Sequence, residues 1–250
     1  MPCDFDKLKK ITKKHSLILI EDAAHSLGAE YKGKKVGCIA DLTTFSFHPV
    51  KSITTGEGGA VMTNNKELYE KLLLFRSHGI TKDQSKFVNK NDGPWYHEMQ
   101  ELGLNCRLTD IQAALGISQL KKLPGFLKKR DAIGVRYNKD LKGIKNLVLP
   151  KITKDSFSSR HLYPILLTDK LQAKRKEVFE FLQKEGIGAQ VHYIPVYWHP
   201  YYQKLGYKKG LCPNAEKWYG SEISIPIYPS LKKEDQRKVI NVLKEILKNQ

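Results

Sequence analysis

Apolar and polar positions along the chain fall into blocks whose period switches between that of a helix and that of a strand. Phe5, Leu8, Ile11 and Thr12 recur at helical spacing, with Asp4 placed as an N-cap. Residues 17–20, Leu-Ile-Leu-Ile, form an unbroken apolar run that ends in Glu21-Asp22. This pattern predicts a buried parallel strand delivering acids at its carboxyl end. β-branched and aromatic residues over 42–47 predict a second strand, and 58–63 a third. Asn64 or Asn65 then caps a helix over 67–77. Residues 81–94 turn polar and irregular, which predicts a long loop of the kind that carries function. Residues 110–120 predict a helix, and Pro124 opens another to about residue 141 that leads into a second domain. Beyond Lys154 come a strand over 162–168, a helix over 170–185 stopped by Gly186, short strands at 189–192 and 223–225, and a closing helix over 232–248. The expected organisation is an α/β layered domain over residues 1–128 and a smaller α+β domain over 129–250.

Composition supports a folded chain: hydrophobic residues make up 40% and charged residues 28% of 250 positions, close to ordinary globular usage. No apolar run reaches the length of a membrane span, and the opening Met1-Pro2-Cys3-Asp4-Phe5 is no signal peptide. These features predict a soluble, cytoplasmic protein. Four scattered cysteines without a C-x-x-C pair argue against a zinc site or a disulfide framework, so no metal is expected. The net charge of +17 is spread mostly over short lysine pairs, such as Lys9-Lys10, Lys34-Lys35 and Lys208-Lys209. No block reaches five like charges and no aromatic-interleaved RNA-binding signature accompanies them. The surplus points to a diphosphate-bearing small molecule rather than to nucleic acid.

Three residues of the first domain suggest a common purpose. Asp22 ends one predicted strand, Ser46 lies near the end of another, and Lys51 follows in a loop that closes on Thr54-Thr55-Gly56-Glu57-Gly58-Gly59. A cofactor with a pyridinium nitrogen, a phosphate and an aldehyde needs such a set: a carboxylate for the nitrogen, a hydroxyl for the phosphate, a lysine for a Schiff base. Taken singly, a loop lysine is usually a solvated charge, an aspartate after a strand is more often a turn former, and Ser46 can cap the next turn.

The surrounding sequence narrows these readings. Residues 21–29 (EDAAHSLGA), 45–51 (FSFHPVK), 54–60 (TTGEGGA) and 103–114 (GLNCRLTDIQAA) resemble, in order and spacing, the DegT/DnrJ/StrS family of sugar aminotransferases. His48-Pro49-Val50-Lys51 and residues 191–196 (VHYIPV) resemble most closely its pseudaminic-acid branch. The resemblance implies a fold type I, aspartate-aminotransferase-like PLP-dependent transferase, here an incomplete large domain followed by the small carboxy-terminal one. It implies pyridoxal 5′-phosphate as cofactor and transfer of an amino group from glutamate to C4 of a UDP-4-keto-6-deoxy-N-acetyl-hexosamine. Lys51 would form the Schiff base and then shuttle a proton. Asp22 would pair with the pyridine nitrogen, His25 would lie by the ring, and Ser46 would bind the phosphate. Asn105 would reach the phosphate held by a neighbouring subunit, which makes the expected state a homodimer. Arg107 would meet an anionic substrate group or form a structural ion pair. His192 and Tyr193 stand either as substrate contacts or as ordinary strand residues. Tyr197-Trp198 and Tyr201-Tyr202 would stack on a uracil or pack a hydrophobic corner, packing being the commoner fate.

The departure from the family lies at the start, where a Gly-Thr turn opening a helix and several strands of the main sheet have no counterpart. The expectation is a truncated chain with uncovered sheet edges, little turnover alone, and a need for a separate amino-terminal segment. Two alternatives remain: a PLP-dependent sugar dehydratase, in which histidine replaces the lysine, and a non-catalytic basic fragment that binds nucleic acid or a partner.

Overall fold

Asp4 opens the first helix, α1 (Phe5–Lys14), by accepting a hydrogen bond from the Lys7 amide at 3.2 Å. The computed structural model describes residues 2–90, 92–168 and 170–248. They divide into two units, Pro2–Leu123 and the residues from Pro124 onward.

In the first unit the strands are β1 (Ile20–Asp22), the hairpin β2 (Glu30–Tyr31) and β3 (Lys34–Lys35), then β4 (Leu42–Ser46) and β5 (Gly59–Met62). β1 runs parallel to β4 with Asp22 opposite Thr44, and β5 runs antiparallel to β4 with Gly59 opposite Ser46. The sheet order is β1-β4-β5, so β1 is an edge strand. The expected buried strand over 17–20 is therefore a correction: pairing begins only at Ile20, which is 62% exposed, and Leu17 and Ile18 are exposed as well. Local bonding explains the late start. The Leu19 amide is taken by the Asp41 carboxylate at 2.8 Å, and its carbonyl accepts from the amides of Asp41 and Leu42. The interior of this unit is small, with Ala23, Ala29 and Val36 packed against Phe45.

Helix α2 (Lys66–Arg76) is capped by Asn65 through the Leu68 amide. Past its end the backbone crosses residues 104–106, with bonds from the Leu104 amide to the Phe75 carbonyl and from the Cys106 amide to the Arg76 carbonyl. The polar stretch after residue 81 lies between β6 (Ile80–Thr81) and β7 (Glu98–Met99), which pair with each other. Buried Glu98 gathers that loop by accepting from the amides of Val88 and Asn89 at 2.7 Å each. Helix α3 (Asp110–Asp140) is continuous where two helices are expected, with Pro124 inside it. A proline there removes one i→i−4 bond, and the boundary between the units falls at that residue.

The second unit holds the main core. β8 (Leu147–Val148), β10 (Tyr163–Leu167) and β11 (Glu222–Ile225) form an antiparallel sheet in the order β11-β10-β8, with the short β9 (Ser156–Phe157) between β8 and β10 in sequence. The predicted helix over 170–185 is two pieces, α4 (Lys170–Ala173) and α5 (Arg175–Lys184). α6 (Pro200–Lys204), α7 (Pro213–Ser221) and α8 (Lys233–Lys248) complete the unit. Tyr137 of α3, Ile165, Val178, Leu182, Ile223 and Leu243 are among the fully buried side chains of one contiguous cluster. Each contributes about 1.5–3 kcal/mol by leaving water.

Candidate active site

Lys51 sits on a loop whose neck is tied at Phe47. The Phe47 amide donates to the Gly58 carbonyl at 2.8 Å, and the Phe47 carbonyl accepts from the Thr55 amide at 3.0 Å and the Thr54 hydroxyl at 3.1 Å. Within the loop the Lys51 amide bonds the His48 carbonyl at 2.9 Å, closing a turn over 48–51. Ile53, almost wholly buried, is the loop's apolar anchor. Glycine is required at 59, because a Cβ there would lie 2.8 Å from the Phe45 carbonyl oxygen.

Parallel pairing brings the carboxyl ends of β1 and β4 together, which is how residues far apart in sequence come to share one place. Asp22 is the last residue of β1, and Ser46 lies two positions beyond its partner Thr44. Half-buried Lys51 feels this arrangement directly. Burial pushes its ammonium below the ordinary lysine range, and the Asp22 carboxylate pulls it back up. Asp22 also forms a turn, since its Oδ1 accepts from the Ala24 amide at 3.0 Å. No described residue donates to its Oδ2. The Ser46 oxygen accepts only a long bond from the His48 amide, 3.4 Å, and its proton goes to no described residue. Amine, carboxylate and hydroxyl therefore fit the three polar ends of a pyridoxal phosphate. His25 is half-buried in the turn that follows Asp22. His48 is exposed, with Nε2 3.7 Å from Glu57.

Asn105 and Arg107 lie on the segment leading into α3. Asn105 forms a β-bridge with Ser77 and its side chain is exposed. Arg107 is exposed and forms no ion pair among the described residues. The same segment reaches the lysine loop through a residue not expected to matter. Gln112 Oε1 accepts from the Thr109 amide and hydroxyl at 3.0 Å each, while its Nε2 donates to the Glu57 carbonyl at 2.9 Å. The Thr-x-x-Gln spacing of a capping box was the available signal.

His192 and Tyr193 belong to the second unit, where the expected strand over 189–192 is reduced to a bridge between Gln190 and Ser224. His192 is half-buried and Tyr193 exposed. The His192 amide donates to Glu222 Oε2 at 2.6 Å and its carbonyl accepts from Trp218 Nε1 at 3.1 Å. Tyr197 and Trp198 form a packed corner: both donate to Glu216, at 2.6 and 3.3 Å, and Trp198 meets Tyr219 edge-on at 5.5 Å. Tyr201 remains largely exposed. Among the described residues no helix is long and apolar enough to cross a membrane, and no group of His, Cys, Asp and Glu is arranged to hold a metal ion.

The signature of the DegT/DnrJ/EryC1/StrS aminotransferase family matches residues 1–244. An uncharacterized protein of Methanocaldococcus jannaschii is 47% identical over 248 residues, covering 98% of this chain and 64% of its own. The UDP-4-amino-4,6-dideoxy-N-acetyl-beta-L-altrosamine transaminase of Campylobacter jejuni is 47% identical over 244 residues, covering 98% of this chain and 62% of its own. Among solved structures, PseC of Helicobacter pylori, an aminotransferase involved in the biosynthesis of pseudoaminic acid, superposes with a TM-score of 0.89 at 39% identity, covering 100% of this chain and 64% of that one. The chain thus spans less than two thirds of these relatives.

Proposed function

The chain belongs to the DegT/DnrJ/EryC1/StrS aminotransferase family, and from that premise we propose that it carries the lysine and carboxylate of a pyridoxal-phosphate-dependent nucleotide-sugar aminotransferase. The observation that supports this reading is the electrostatic coupling of Lys51 to Asp22 across the paired strand ends. Bound pyridoxal phosphate supplies an electron sink and an aldehyde carbon for amino transfer. The residues of this chain do the rest. Lys51 Nζ, with its pKa lowered by burial, is the nucleophile and afterwards the group that takes and returns a proton. Asp22 would pair with the ring nitrogen of the bound cofactor, through the carboxylate oxygen that its own turn leaves over. Ser46 would give its hydroxyl proton to the phosphate, and His25 would lie by the ring.

Asn105 of a second copy completes the phosphate site in this reading, so the working form is a homodimer. The substrate is a UDP-linked 4-keto-6-deoxy-N-acetyl-hexosamine, by analogy with the Campylobacter UDP-4-amino-4,6-dideoxy-N-acetyl-beta-L-altrosamine transaminase, and the family resemblance implies glutamate as amino donor. Arg107, His192 and Tyr193 are its proposed contacts. The test is direct: pyridoxal phosphate added to the purified chain produces a near-visible absorbance band that Lys51→Ala abolishes. A chain that gives no band, or whose band survives Lys51→Ala, refutes the assignment. Salt-dependent retention of nucleic acid without a band identifies the basic-fragment alternative instead.

A further inference from the structure

One end of the sheet in the second unit carries charge that the chemistry above does not use. β10 pairs with β8, Leu167 opposite Leu147, and the Thr168 amide continues the ladder to the Asn146 carbonyl at 3.0 Å. The turn that precedes β8 and the opening of α4 therefore come to the same end of the sheet. Lys142 and Lys145 of that turn, Lys170 of α4, and Lys244 and Lys248 of α8 line one open cavity of about 850 Å³. That volume lies within the range of small-molecule sites. Leu171 of α4 and Leu247 of α8, both part of the buried core cluster, also line it and fix the segments that carry the lysines.

None of the five lysines forms an ion pair among the described residues. The one acid among the described lining residues, Asp140, is held by Arg136 Nε at 3.4 Å. Even with Asp169, next to Lys170 in the sequence, counted against them, five cations face two carboxylates. Helix ends explain only part of this. A helix carboxyl end attracts cations, which suits Lys248 on α8 and Lys142 just past α3. It does not suit Lys145 before β8 or Lys170 at the start of α4. Lys244 and Lys248 also stand four residues apart on one helix face, where like charges repel. An anion relieves such repulsion, and a concave site lined by one sign of charge concentrates counter-ions.

We propose that this cavity is a binding site for the phosphate chain of a polyphosphate, separate from the residues assigned to cofactor and substrate. The class of ligand follows from the donors. Each lysine ammonium is a point charge with three rotatable donors, and several of them from three segments suit the many oxygens of linked phosphates. A carboxylate is better met by the paired N–H groups of an arginine, and no arginine lines the cavity among the described residues. Two sources share this chemistry, an inorganic polyphosphate and a nucleoside triphosphate. The site does not depend on Lys51 holding a cofactor.

The experiment is calorimetric titration of the full chain with inorganic tripolyphosphate at about 0.15 M salt, where loosely attracted anions are screened. The expected result is saturable binding of one anion per chain. Lys145→Ala combined with Lys244→Ala should weaken it by about tenfold or more, the worth of one lost charge-assisted contact. Lys9→Ala combined with Lys10→Ala removes the same charge from exposed positions on α1, and should change the affinity by less than about twofold. Lys51→Ala should leave it as it is, which separates this site from the lysine loop. As a second readout, tripolyphosphate should raise the Tm of the wild type more than that of the Lys145 and Lys244 double variant. Adenosine triphosphate distinguishes the sources: equal affinity assigns the phosphate chain alone, and tighter binding a nucleoside triphosphate. Binding that does not saturate, an equal loss in the two double variants, or a loss in Lys51→Ala overturns the proposal. So does an oligonucleotide or an anionic lipid vesicle that binds through Lys145 and Lys244 where tripolyphosphate does not.

Discussion

Gln112 tests whether the lysine loop is positioned by the helix beside it, because one side chain performs two separable tasks. Its Oε1 caps α3 by accepting from Thr109, and its Nε2 straps Glu57, in the loop that follows Lys51, to the start of the helix. The amide orientation is fixed by these partners, since Oε1 faces two donors and Nε2 a carbonyl. Replacing Gln112 by Ala loses both tasks. A lost cap costs about 1 kcal/mol, and a lost strap costs about 0.5–1.5 kcal/mol. The strap's share, about 0.5–1.5 kcal/mol, multiplies the open population of the loop roughly 2- to 13-fold, and loss of the cap frays the helix start to which the strap is tied. Gln112→Glu separates the two. The carboxylate still accepts from Thr109 and is favoured at a helix amino terminus, but it faces the Glu57 carbonyl with no proton to give. Helix stability should hold while the loop loosens. Hydrogen exchange of residues 52–60 measures the loop, and titration with pyridoxal phosphate measures the site. Both substitutions should speed exchange in that segment, Gln112→Ala more than Gln112→Glu, and Gln112→Glu should weaken cofactor binding by up to about tenfold, the equivalent of 1.4 kcal/mol. Exchange and affinity in Gln112→Glu indistinguishable from wild type would show that the strap does not position the loop.

Two further outcomes follow from the same coordinates. Lys51 has a folded pKa below its ordinary value, so its neutral amine becomes available at a lower pH than that of a solvated lysine. The rate of cofactor capture should rise with pH about a midpoint below 10.5, and Asp22→Asn, which removes the one influence raising that pKa, should move the midpoint lower; stopped-flow absorbance reads it, and an upward move contradicts the assignment. The sign also fixes the stability effect: the unfolded state holds its proton to higher pH, so the contribution of Lys51 to stability is complete above its ordinary pKa and is lost as pH falls toward the folded one. At the sheet edge, exposed Ile20 beside Ile18 and Leu17 presents an apolar row on a strand that pairs on one side only among the described residues. Ile20→Lys should reduce self-association in light scattering without loss of the core, and unchanged scattering would clear the edge of responsibility.

What could be read from the sequence was what local spacing and one topological rule together determine. Lys51, Ser46 and Asp22 could be grouped because a parallel pair always aligns its carboxyl ends, and β1 and β4 are such a pair. The caps at Asp4 and Asn65 were legible because a cap is decided within four residues. The run at 17–20 was misjudged for the converse reason: its hydrophobicity is its own, but its burial depends on neighbours, and an edge strand has one. Pro124 misled in the same way, as a local break signal within a helix that bonds on both sides of it. The aromatic corner at Tyr197-Trp198 was undecidable until Glu216, eighteen or more residues on, came into reach. Glu222 and Ser224 lie furthest from any sequence signal. Thirty residues separate His192 from Glu222, and tertiary pairing such as the Gln190–Ser224 bridge brings them into contact. A motif can single out a histidine; the fully buried carboxylate that bonds its backbone amide belongs to no motif. Side chains that sit in contiguous motifs are thus easier to find in a sequence than those that brace them, because the second kind act through tertiary pairing alone.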